Sequence, residues 1–379
     1  MGGTLTMEDL YILVQFLSLL GLLGGLLMFW SNIMPPMQQG KNQLLPTLSI
    51  IIPARNEAHR LPSLLESLQA QSFNDFELIV VDDGSSDQTS EVALSYGAKV
   101  LKSKQIGQMI PGKSNACAYG AQFAKGEWLL FLDADVQLAN ADSLLKILTS
   151  FSKQQGKGIL SIQPYHCIVR PYENLSVIFN IIVLTGINVF TIWKEKFQTA
   201  GSFGPCILCD KESYISTGGH EAAEESIMED FALSDIFLAK DLAVTNYLGR
   251  GIVNMRMYGE GTKQLVEGWT KNLAIASQST HRFVMFLIQL WVFGAIMVAV
   301  APILAYLIES SMAFVWSMII YLLYGAHVYL LARRAGNFQL VVFLIYPLFI
   351  LFFTSIFLYS LFRTHVLHSV TWKGRKIKV

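Results

Sequence analysis

Charged residues are scarce in this chain, because Asp, Glu, Lys and Arg make up only 15% of its 379 residues. The hydrophobic fraction is 53%, which is too high for an ordinary soluble protein of this length. The formal net charge is zero, and the sequence has no basic block of the kind that binds nucleic acid. The composition therefore predicts a membrane protein with a sizeable folded domain and no nucleic-acid partner.

Cysteine is also scarce, since the chain has only Cys117, Cys167, Cys206 and Cys209. Four cysteines do not make a disulfide framework in a chain this long. Cys206 and Cys209 have the spacing of a metal-binding pair, but neither a second pair nor a His pair accompanies them. We therefore expect packed side chains here rather than a zinc site.

Long uncharged runs lie at both ends of the chain. The first, Leu10 to Trp30, has the roughly 20 residues that span a hydrocarbon core of about 30 Å. It follows Glu8 and Asp9, whereas a signal peptide has a basic start, so residues 1–31 are predicted to be a retained transmembrane anchor. Three further runs, residues 283–308, 312–331 and 340–362, are too long and too apolar to be favoured as buried core helices.

The distribution of Lys and Arg predicts a multi-pass protein of the cell membrane with a cytoplasmic domain, because the amino end carries acids and no basic residue. The basic tail, residues 363–379, would lie outside if all three later runs crossed the membrane. That conflict disappears if the last run, which contains Pro347, is re-entrant. We therefore expect two or three crossings within residues 283–362.

Residues 46–282 are predicted to form the cytoplasmic domain. Strands are expected at 48–52, 76–81, 99–101 and 128–132, alternating with helices at 61–70, 87–96 and 114–124. This alternation predicts an α/β domain with a mostly parallel sheet, whose ligands bind beyond the carboxyl ends of the strands.

Two carboxylates follow the apolar run Trp128 to Leu132, at Asp133 and Asp135. They would repel each other at one strand end unless a divalent cation such as Mg²⁺ or Mn²⁺ neutralised them. In an extended chain Gln137 would point the same way, which makes it a third candidate ligand. Hydrolytic two-metal sites use similar acids, so this motif alone leaves the reaction class open.

Two other predicted strands end in candidate binding residues. Pro53 is expected to stop ladder pairing and to free Ala54, Arg55 and Glu57 to meet ribose or base, although a simple turn is the alternative. Asp82 or Asp83 can accept the imide N–H of uracil, whereas the alternative is that both acids cap the turn locally. Ser86 or Asp87, supported by Glu91, is expected to cap the next helix.

Two predicted helix starts also carry charges. Lys113 follows Gly112 at a positive helix end, which predicts a diphosphate clamp. Gly107 completes the spacing of a P-loop, but no strand ends there, so an ATPase is disfavoured. Glu229 and Asp230 begin a later helix, and one of them is a candidate catalytic base. The alternative is that these acids only stabilise the helix dipole.

Taken in this order, the motifs around Pro53, Asp83, Lys113, Asp133-Ala134-Asp135 and Asp230 resemble inverting family-2 glycosyltransferases of the GT-A fold. The resemblance implies a GT-A domain plus transmembrane helices, a nucleotide-diphosphate sugar and a divalent cation. It also implies that Asp135 binds the metal, that Asp133 and Ala134 contact metal or donor, that Asp83 recognises the base, and that Asp230 is catalytic.

The segments Leu160 to His166, Thr217 to His220, Glu267 to Lys271 and Trp372 to Arg375 look like bacterial glycosyltransferases that glucosylate the C30 carotenoid acid 4,4'-diaponeurosporenoate. This resemblance implies UDP-glucose as donor and a lipid acceptor in the bilayer, with His220 and Trp269 as candidate contacts to acceptor or sugar. Transfer to polyprenyl phosphate or a glycerolipid is the first alternative. An inactive membrane scaffold that senses nucleotide sugars is the second.

Two further features bear on the acceptor. Polysaccharide synthases carry Gln-x-x-Arg-Trp, whereas Gln264 to Trp269 has no Arg, so chain polymerisation is disfavoured. Trp269 could stack on sugar or acceptor, or anchor the chain at the membrane interface. Residues 172–193 are predicted to form an amphipathic helix on the bilayer surface, with a packed core helix as the alternative.

Overall fold

The structure is a computed structural model that describes residues 6–36, 45–103, 112–223, 229–276, 279–367, 369–372 and 375–378. Two compact units are present. The α/β unit comprises residues 33–167 and 199–257, and the helical unit comprises residues 1–32, 168–198 and 258–379. Two segments of the predicted cytoplasmic domain, 168–198 and 258–282, therefore belong to the helical unit.

The elements are numbered in chain order. The helices are α1 Met7–Met28, α2 Leu61–Gln69, α3 Thr89–Ser95, α4 Lys113–Phe123, α5 Ser143–Lys153, α6 Val177–Gly186, α7 Lys211–Thr217, α8 Gly219–Ala222, α9 Glu229–Leu238, α10 Thr262–Ala276, α11 Arg282–Leu307, α12 Ser311–Ala335 and α13 Val341–His365. The strands are β1 Leu48–Ala54, β2 Phe76–Asp82, β3 Lys99–Lys102, β4 Trp128–Leu132, β5 Val136–Leu138, β6 Ile159–Gln163, β7 Tyr165–His166, β8 Cys206–Asp210, β9 Val244–Leu248, β10 Val253–Met255, β11 Ser369–Trp372 and β12 Arg375–Lys378.

A seven-stranded sheet in the order β3-β2-β1-β4-β8-β6-β9 forms the centre of the α/β unit. Strands β3, β2, β1 and β4 are parallel, and β8 runs antiparallel to both β4 and β6. Strands β5, β10 and β7 make a second, smaller sheet. The predicted alternation of strands and helices over residues 47–132 is confirmed, and the carboxyl ends of the four parallel strands meet at one edge of the sheet.

Both faces of this sheet are buried. The α2 residues Leu61, Leu64 and Leu65 and the α5 residue Phe151 pack on one face, and Leu233 and Phe237 of α9 pack on the other. Helix α4 approaches the second face closely, because a Cβ atom added at Gly120 would lie 2.5 Å from the side chain of Ile51. This close packing fixes the position of α4, which begins with Lys113.

The helical unit contains four helices that are long and apolar enough to cross a membrane: α1, α11, α12 and α13. They overlap the four predicted apolar runs, although α1 ends at Met28, two residues before the end of the first run. Helices α1 and α12 run in the same direction, since Tyr11 Oη donates to the carbonyl of Ala313 at 2.9 Å and Arg334 donates to that of Phe29 at 2.8 Å. The four helices support the prediction of a membrane protein.

Helices α1 and α11 cross with their backbones almost touching. A Cβ atom built on Gly21 would lie 2.6 Å from the Cα atom of Gly294, and one built on Gly294 would lie 2.6 Å from that of Gly21. Small residues at such crossings allow the close backbone approach that holds apolar helices together.

Residues 172–193 adopt a different structure from the predicted surface helix. Residues Pro171–Ser176 form a 3₁₀ turn, and α6 follows for only ten residues. Most of α6 is buried, including the polar residues Asn180 and Thr185, whose side chains donate to carbonyls one turn earlier. This burial matches the packed-helix alternative, and a position of the segment on the bilayer surface stays a prediction.

We predict that Gly21→Leu destabilises the helical unit, because the added side chain collides with the α11 backbone. Overpacking of this kind costs about 1–3 kcal/mol. The melting temperature of the detergent-purified protein should fall, whereas Leu23→Ala, at a position that is 52% exposed, should leave it nearly unchanged. An unchanged melting temperature in Gly21→Leu would contradict the close crossing.

Candidate functional site

The site is built where β1, β2 and β4 end. Asp83 directly follows β2, and Asp133 directly follows β4. Strand β1 lies between β2 and β4. Its pairing with β2 continues as far as Ala54, whereas its pairing with β4 ends at Ile51. The predicted end of pairing at Pro53 therefore holds only on the β4 side. Ala54 and Ala134 are buried, so these two residues offer only backbone groups to a ligand.

Lys113 lies at the centre of an acidic cluster. Its Nζ atom is 2.9 Å from Asp133 Oδ1, 3.7 Å from Asp230 Oδ1 and 3.9 Å from Glu229 Oε1. Burial alone would lower the pKa of Lys113, but these three carboxylates raise it well above its ordinary value. The ammonium group therefore stays charged and joins the start of α4, the end of β4 and the start of α9.

Gly204 leaves room for the carboxylate of Asp230. A Cβ atom at residue 204 would lie 1.8 Å from Asp230 Oδ2, so any other residue would displace this side chain. The Gly204 carbonyl also accepts a hydrogen bond from Lys113 Nζ at 3.4 Å. Sequence reasoning missed this residue, and its only signal was the pair of glycines, Gly201 and Gly204, before an apolar strand.

Asp135 lies beside this cluster in a strongly acidic environment. Burial, together with the negative charges of Asp133 and Glu57, raises its pKa from 3.8 to about 7. Glu57 itself pairs with Arg60 at 3.3 Å, and its backbone N–H donates to Thr89 Oγ1 at 2.9 Å. A bound cation would relieve the repulsion around Asp135, so the charge of this site fits the predicted metal.

The two carboxylates fit a Mg²⁺ or Mn²⁺ ion whose remaining ligands come from the substrate and from water. Within the part of the chain that the structure describes, no group of three or more His, Cys, Asp and Glu side chains is arranged to hold a metal ion. Mg²⁺ is usually bound by one or two carboxylates together with substrate phosphates and water, rather than by a cage of protein ligands. Asp133 and Asp135 are the candidate carboxylates for such a shared site.

The structure does not support the argument that made Gln137 a third ligand. The chain turns at Ala134 and Asp135, where the N–H of Val136 donates to the Asp133 carbonyl at 3.3 Å. The extended path that would align Gln137 with the two acids is therefore interrupted. Gln137 lies exposed on β5, and a metal-binding role for it stays a prediction.

The two acids at the end of β2, Asp82 and Asp83, have different environments. Asp82 accepts hydrogen bonds from the Ser85 N–H at 2.7 Å and from Ser90 Oγ at 2.5 Å. Burial raises the pKa of Asp82, but these hydrogen bonds outweigh it and lower the pKa below its ordinary value. Asp82 thus holds the turn, as the capping alternative predicts for it. Asp83 lies 4.0 Å from Arg55 and remains the candidate for base recognition.

His220 lies inside the α/β unit, so the expected contact with acceptor or sugar is not supported. It is 1% exposed, and its ring packs edge-on against Phe131 at 4.8 Å. The Tyr214 hydroxyl lies 2.9 Å from Nδ1 and accepts the backbone N–H of His220 at 3.2 Å. The glycines Gly218 and Gly219 therefore precede a buried histidine, and a contact of His220 with sugar or acceptor stays a prediction.

Trp269 belongs to the helical unit and is likewise buried, at 2% exposure. Phe179 stacks on its ring at 4.7 Å, Tyr258 meets it edge-on at 5.7 Å, and its Nε1 donates to Ser176 Oγ at 3.0 Å. These contacts leave the ring no open face for stacking on a sugar. The alternative of an interfacial anchor is not tested by them.

Two predictions concern residues that the structure does not describe. Gly107, which completes the spacing of a P-loop, lies in the undescribed segment 104–111. The residues just before Glu229, 224–228, are also outside the described ranges, so the predicted start of α9 is visible only from Glu229 onward.

Comparison with known proteins gives a consistent result. The family model "Glycosyl transferase family 2" matches residues 49–214. A 4,4'-diaponeurosporenoate glycosyltransferase from Staphylococcus haemolyticus (strain JCSC1435) is 38% identical over 335 residues, which cover 88% of this chain and 89% of the relative. A protein of the same name from Staphylococcus aureus (strain USA300) is 39% identical over 334 residues, which cover 88% of each chain.

One solved structure resembles almost the whole chain. It is a mannosyltransferase from Pyrobaculum calidifontis in complex with GDP-Man and Mn2+, with a TM-score of 0.52 and 15% identity. The match covers 95% of this chain and 100% of the mannosyltransferase. At this level of identity the similarity concerns the fold alone.

The environment of His220 predicts a pH dependence of stability. Burial, together with the positive charge of Lys113, lowers the pKa of His220 from 6.5 to about 3. Because the pKa of His220 is lower in the folded state than in the unfolded state, the stability that the neutral ring contributes is fully present above pH 6.5. It is lost progressively as the pH falls toward 3. The loss amounts to about 2 kcal/mol at pH 5.

We therefore expect the melting temperature of His220→Asn to depend less on pH between 7.5 and 5 than that of the unchanged protein. Thermal unfolding in detergent at several pH values measures the difference. His59→Asn, which alters an exposed histidine, serves as the control and should keep the original pH dependence. Identical slopes for His220→Asn and the unchanged protein would contradict the assignment.

Proposed function

Because the chain belongs to glycosyl transferase family 2 and is a glycosyltransferase of GT-A fold, we propose that it transfers glucose from UDP-glucose to a lipid carboxylic acid, with inversion at the anomeric carbon. The acceptor we propose is the C30 carotenoid acid 4,4'-diaponeurosporenoate, which the names of its relatives contain. The observation that carries this proposal is the Lys113 cluster, which joins a candidate diphosphate clamp to two candidate bases.

On the donor side, Asp83 with Arg55 is proposed to bind the uracil or ribose. Lys113 would bind the diphosphate, because its charged ammonium lies at the start of α4, where the helix dipole also favours anions. Asp135 and Asp133 would hold Mg²⁺ or Mn²⁺, with Glu57 adding negative charge nearby. When bound, the cation supplies positive charge that stabilises the departing diphosphate.

On the acceptor side, an oxygen of the acceptor forms a bond to the anomeric carbon. The bond from that carbon to the diphosphate oxygen breaks, and its electron pair leaves with UDP. A lipid carboxylic acid has a reference pKa of about 4 and is already ionised near pH 7. Asp230 therefore has no proton to remove from it. Together with Glu229, Asp230 would instead hold the Lys113 ammonium in place beside the reacting atoms.

The four apolar helices support a bilayer location, where such an acceptor is dissolved. The acidic amino end and the paired Arg333 and Arg334 at the end of α12 support a multi-pass protein of the cell membrane with its catalytic domain in the cytoplasm. A UDP-sugar would then reach the site from the cytoplasm.

The most informative experiment incubates membranes that contain this protein with labelled UDP-glucose and a panel of lipids. The panel includes 4,4'-diaponeurosporenoate, polyprenyl phosphate and diacylglycerol, so it also tests the two alternative acceptor classes. We expect the label in a glucosyl ester of the carotenoid acid, identified by mass spectrometry. Label in a phosphodiester or a glycolipid instead would replace the proposed acceptor.

We predict that Asp135→Asn lowers turnover at least about 100-fold, because a bound metal contributes several kcal/mol to the transition state. EDTA should abolish turnover of the unchanged protein, and Mg²⁺ or Mn²⁺ should restore it. Initial rates with labelled UDP-glucose provide the measurement. Asp75→Asn, which alters an exposed acid in a loop, should keep full activity. Full turnover by Asp135→Asn would remove the metal assignment.

The proposed acceptor chemistry makes a prediction for Asp230→Asn. With an ionised carboxylic acid as acceptor, this change should reduce the rate less than about tenfold, since no proton is transferred. Loss of a required general base costs about 10²–10⁴ in rate. Asp235→Asn, an exposed position on the same helix, is the matched control. A loss of 10²–10⁴ with the carotenoid acid would show that the acceptor does not react as a carboxylate.

A further inference from the structure

Several segments that precede or follow the apolar helices lie together at one end of the helical unit. The N–H of Ser31 donates to the Phe190 carbonyl at 2.8 Å, just after α1 ends. Thr280 Oγ1 donates to the Gly186 carbonyl at 3.0 Å, just before α11 begins. Arg334, near the end of α12, donates to the Phe29 carbonyl at 2.8 Å. We call the end of the unit that contains Ser31, Thr280 and Arg334 the Arg334 end. Because Ser31 contacts Phe190 and Thr280 contacts Gly186, α6 and the residues that follow it lie at this end.

Helix α13 starts alongside α12 but bends away from it. Tyr321 Oη donates to the Leu344 carbonyl at 2.8 Å, and Tyr346 stacks on Tyr324 at 5.7 Å. Between these contacts Ile345 has non-helical backbone angles, with φ −124° and ψ 29°, and Pro347 follows two residues later. Proline removes a helical hydrogen bond, which accounts for a kink at this point.

Beyond the kink, α13 remains at the Arg334 end instead of leading away from it. Phe353 packs edge-on against Phe179 of α6 at 5.0 Å. Ser360 Oγ donates to the Thr270 carbonyl of α10 at 2.7 Å. Fifteen residues separate Ile345 from Ser360, a helical length of about 22 Å that would cross most of a hydrocarbon core if the helix stood upright.

Helix α10 cannot lie in the hydrocarbon, because it carries Lys263, Glu267 and Lys271 on fifteen residues. It also ends six residues before α11 begins, which places it at the Arg334 end. A helix that stays against α10 and α6 for its second half therefore lies at the membrane boundary.

The two sides of α13 agree with this position. Phe349, Ile350, Phe353 and Ser360 are buried within the unit. On the opposite side, a stripe of apolar residues is exposed at spacings of three to seven: Leu348, Leu351, Leu358 and Phe362. Arg363 ends the stripe, with its guanidinium 6.0 Å from the Tyr359 ring. An apolar stripe that ends in a basic residue is suited to the boundary between acyl chains and anionic headgroups.

We propose that α13 beyond Ile345 lies flat in the membrane leaflet at the Arg334 end, with its exposed stripe among the acyl chains. Only α1, α11 and α12 then cross. Strand β11 lies against α10, so the tail hairpin with Arg375, Lys376 and Lys378 belongs to the same leaflet as Arg333 and Arg334. The surface formed by α13 and the tail thus binds an anionic leaflet. The basic tail then lies on the cytoplasmic side, as the distribution of Lys and Arg predicts, and no longer has to be placed outside the cell.

The first test locates the tail by cysteine labelling. Lys376→Cys and Lys378→Cys are each made in a Cys167→Ala background, because the other native cysteines are buried. Lys263→Cys in α10 and Met312→Cys at the start of α12 mark the two sides. In intact cells treated with an impermeant maleimide, the tail variants should give the same result, labelled or unlabelled, as Lys263→Cys. Met312→Cys should give the opposite result. If the tail variants instead gave the same labelling result as Met312→Cys, the proposal would be overturned.

The second test measures depth in the bilayer. Spin labels at the exposed positions Leu348, Leu351, Leu358 and Phe362 are compared with labels at the exposed α12 positions Val315, Ile319, Leu322 and Leu330. Accessibility to oxygen and to a nickel chelate should give one shallow depth along α13, whereas depth along α12 should rise to the bilayer centre and fall again. A depth profile along α13 like that of α12 would overturn the proposal. Neither test needs turnover, so each outcome is independent of the proposed reaction.

Discussion

A single ammonium group holds the candidate site together. Lys113 Nζ lies within 4 Å of Asp133, Glu229 and Asp230, which come from positions up to 117 residues away in the sequence. These three carboxylates repel one another, and the ammonium group between them offsets that repulsion. The cluster remains acidic even with Lys113, because Asp135 and Glu57 lie nearby. The site therefore has an excess of negative charge, which the proposed divalent cation would offset.

Much of the α/β unit could be predicted from the sequence, because short β-branched runs alternate with amphipathic segments and turn residues. Strand β4 matches its predicted range, and β1, β2, β3 and the helices between them differ by one or two residues at their ends. The order of the acidic motifs was enough to identify the family, which the relatives confirm. In a parallel sheet this order also places Asp83 and Asp133 at one edge, since every strand ends there.

The remaining features depend on packing that no local pattern encodes. Gly204 is needed only because α9 places Asp230 against it, and that approach joins residues far apart in the sequence. His220 follows two glycines, a pattern common at binding loops, yet Tyr214 and Phe131 enclose it. Trp269 and the segment after Tyr172 are apolar enough for a surface or a core, and no local pattern shows that Trp269 stacks on Phe179. The turn at Ala134 likewise interrupts a strand-like alternation.

The interleaving of the two units has a consequence for how the protein is made. The chain passes from one unit to the other at residues 32–33, 167–168, 198–199 and 257–258. Helix α1 leaves the ribosome before the other apolar helices, but Gly294, which contacts α1 at the Gly21 crossing, is synthesised 273 residues after Gly21. The first helix must therefore wait in the bilayer, without its packing partner, while the whole sugar-transfer domain is translated. Such delayed pairing exposes it to wrong helical neighbours, and slow, late assembly follows from contacts so distant along the chain.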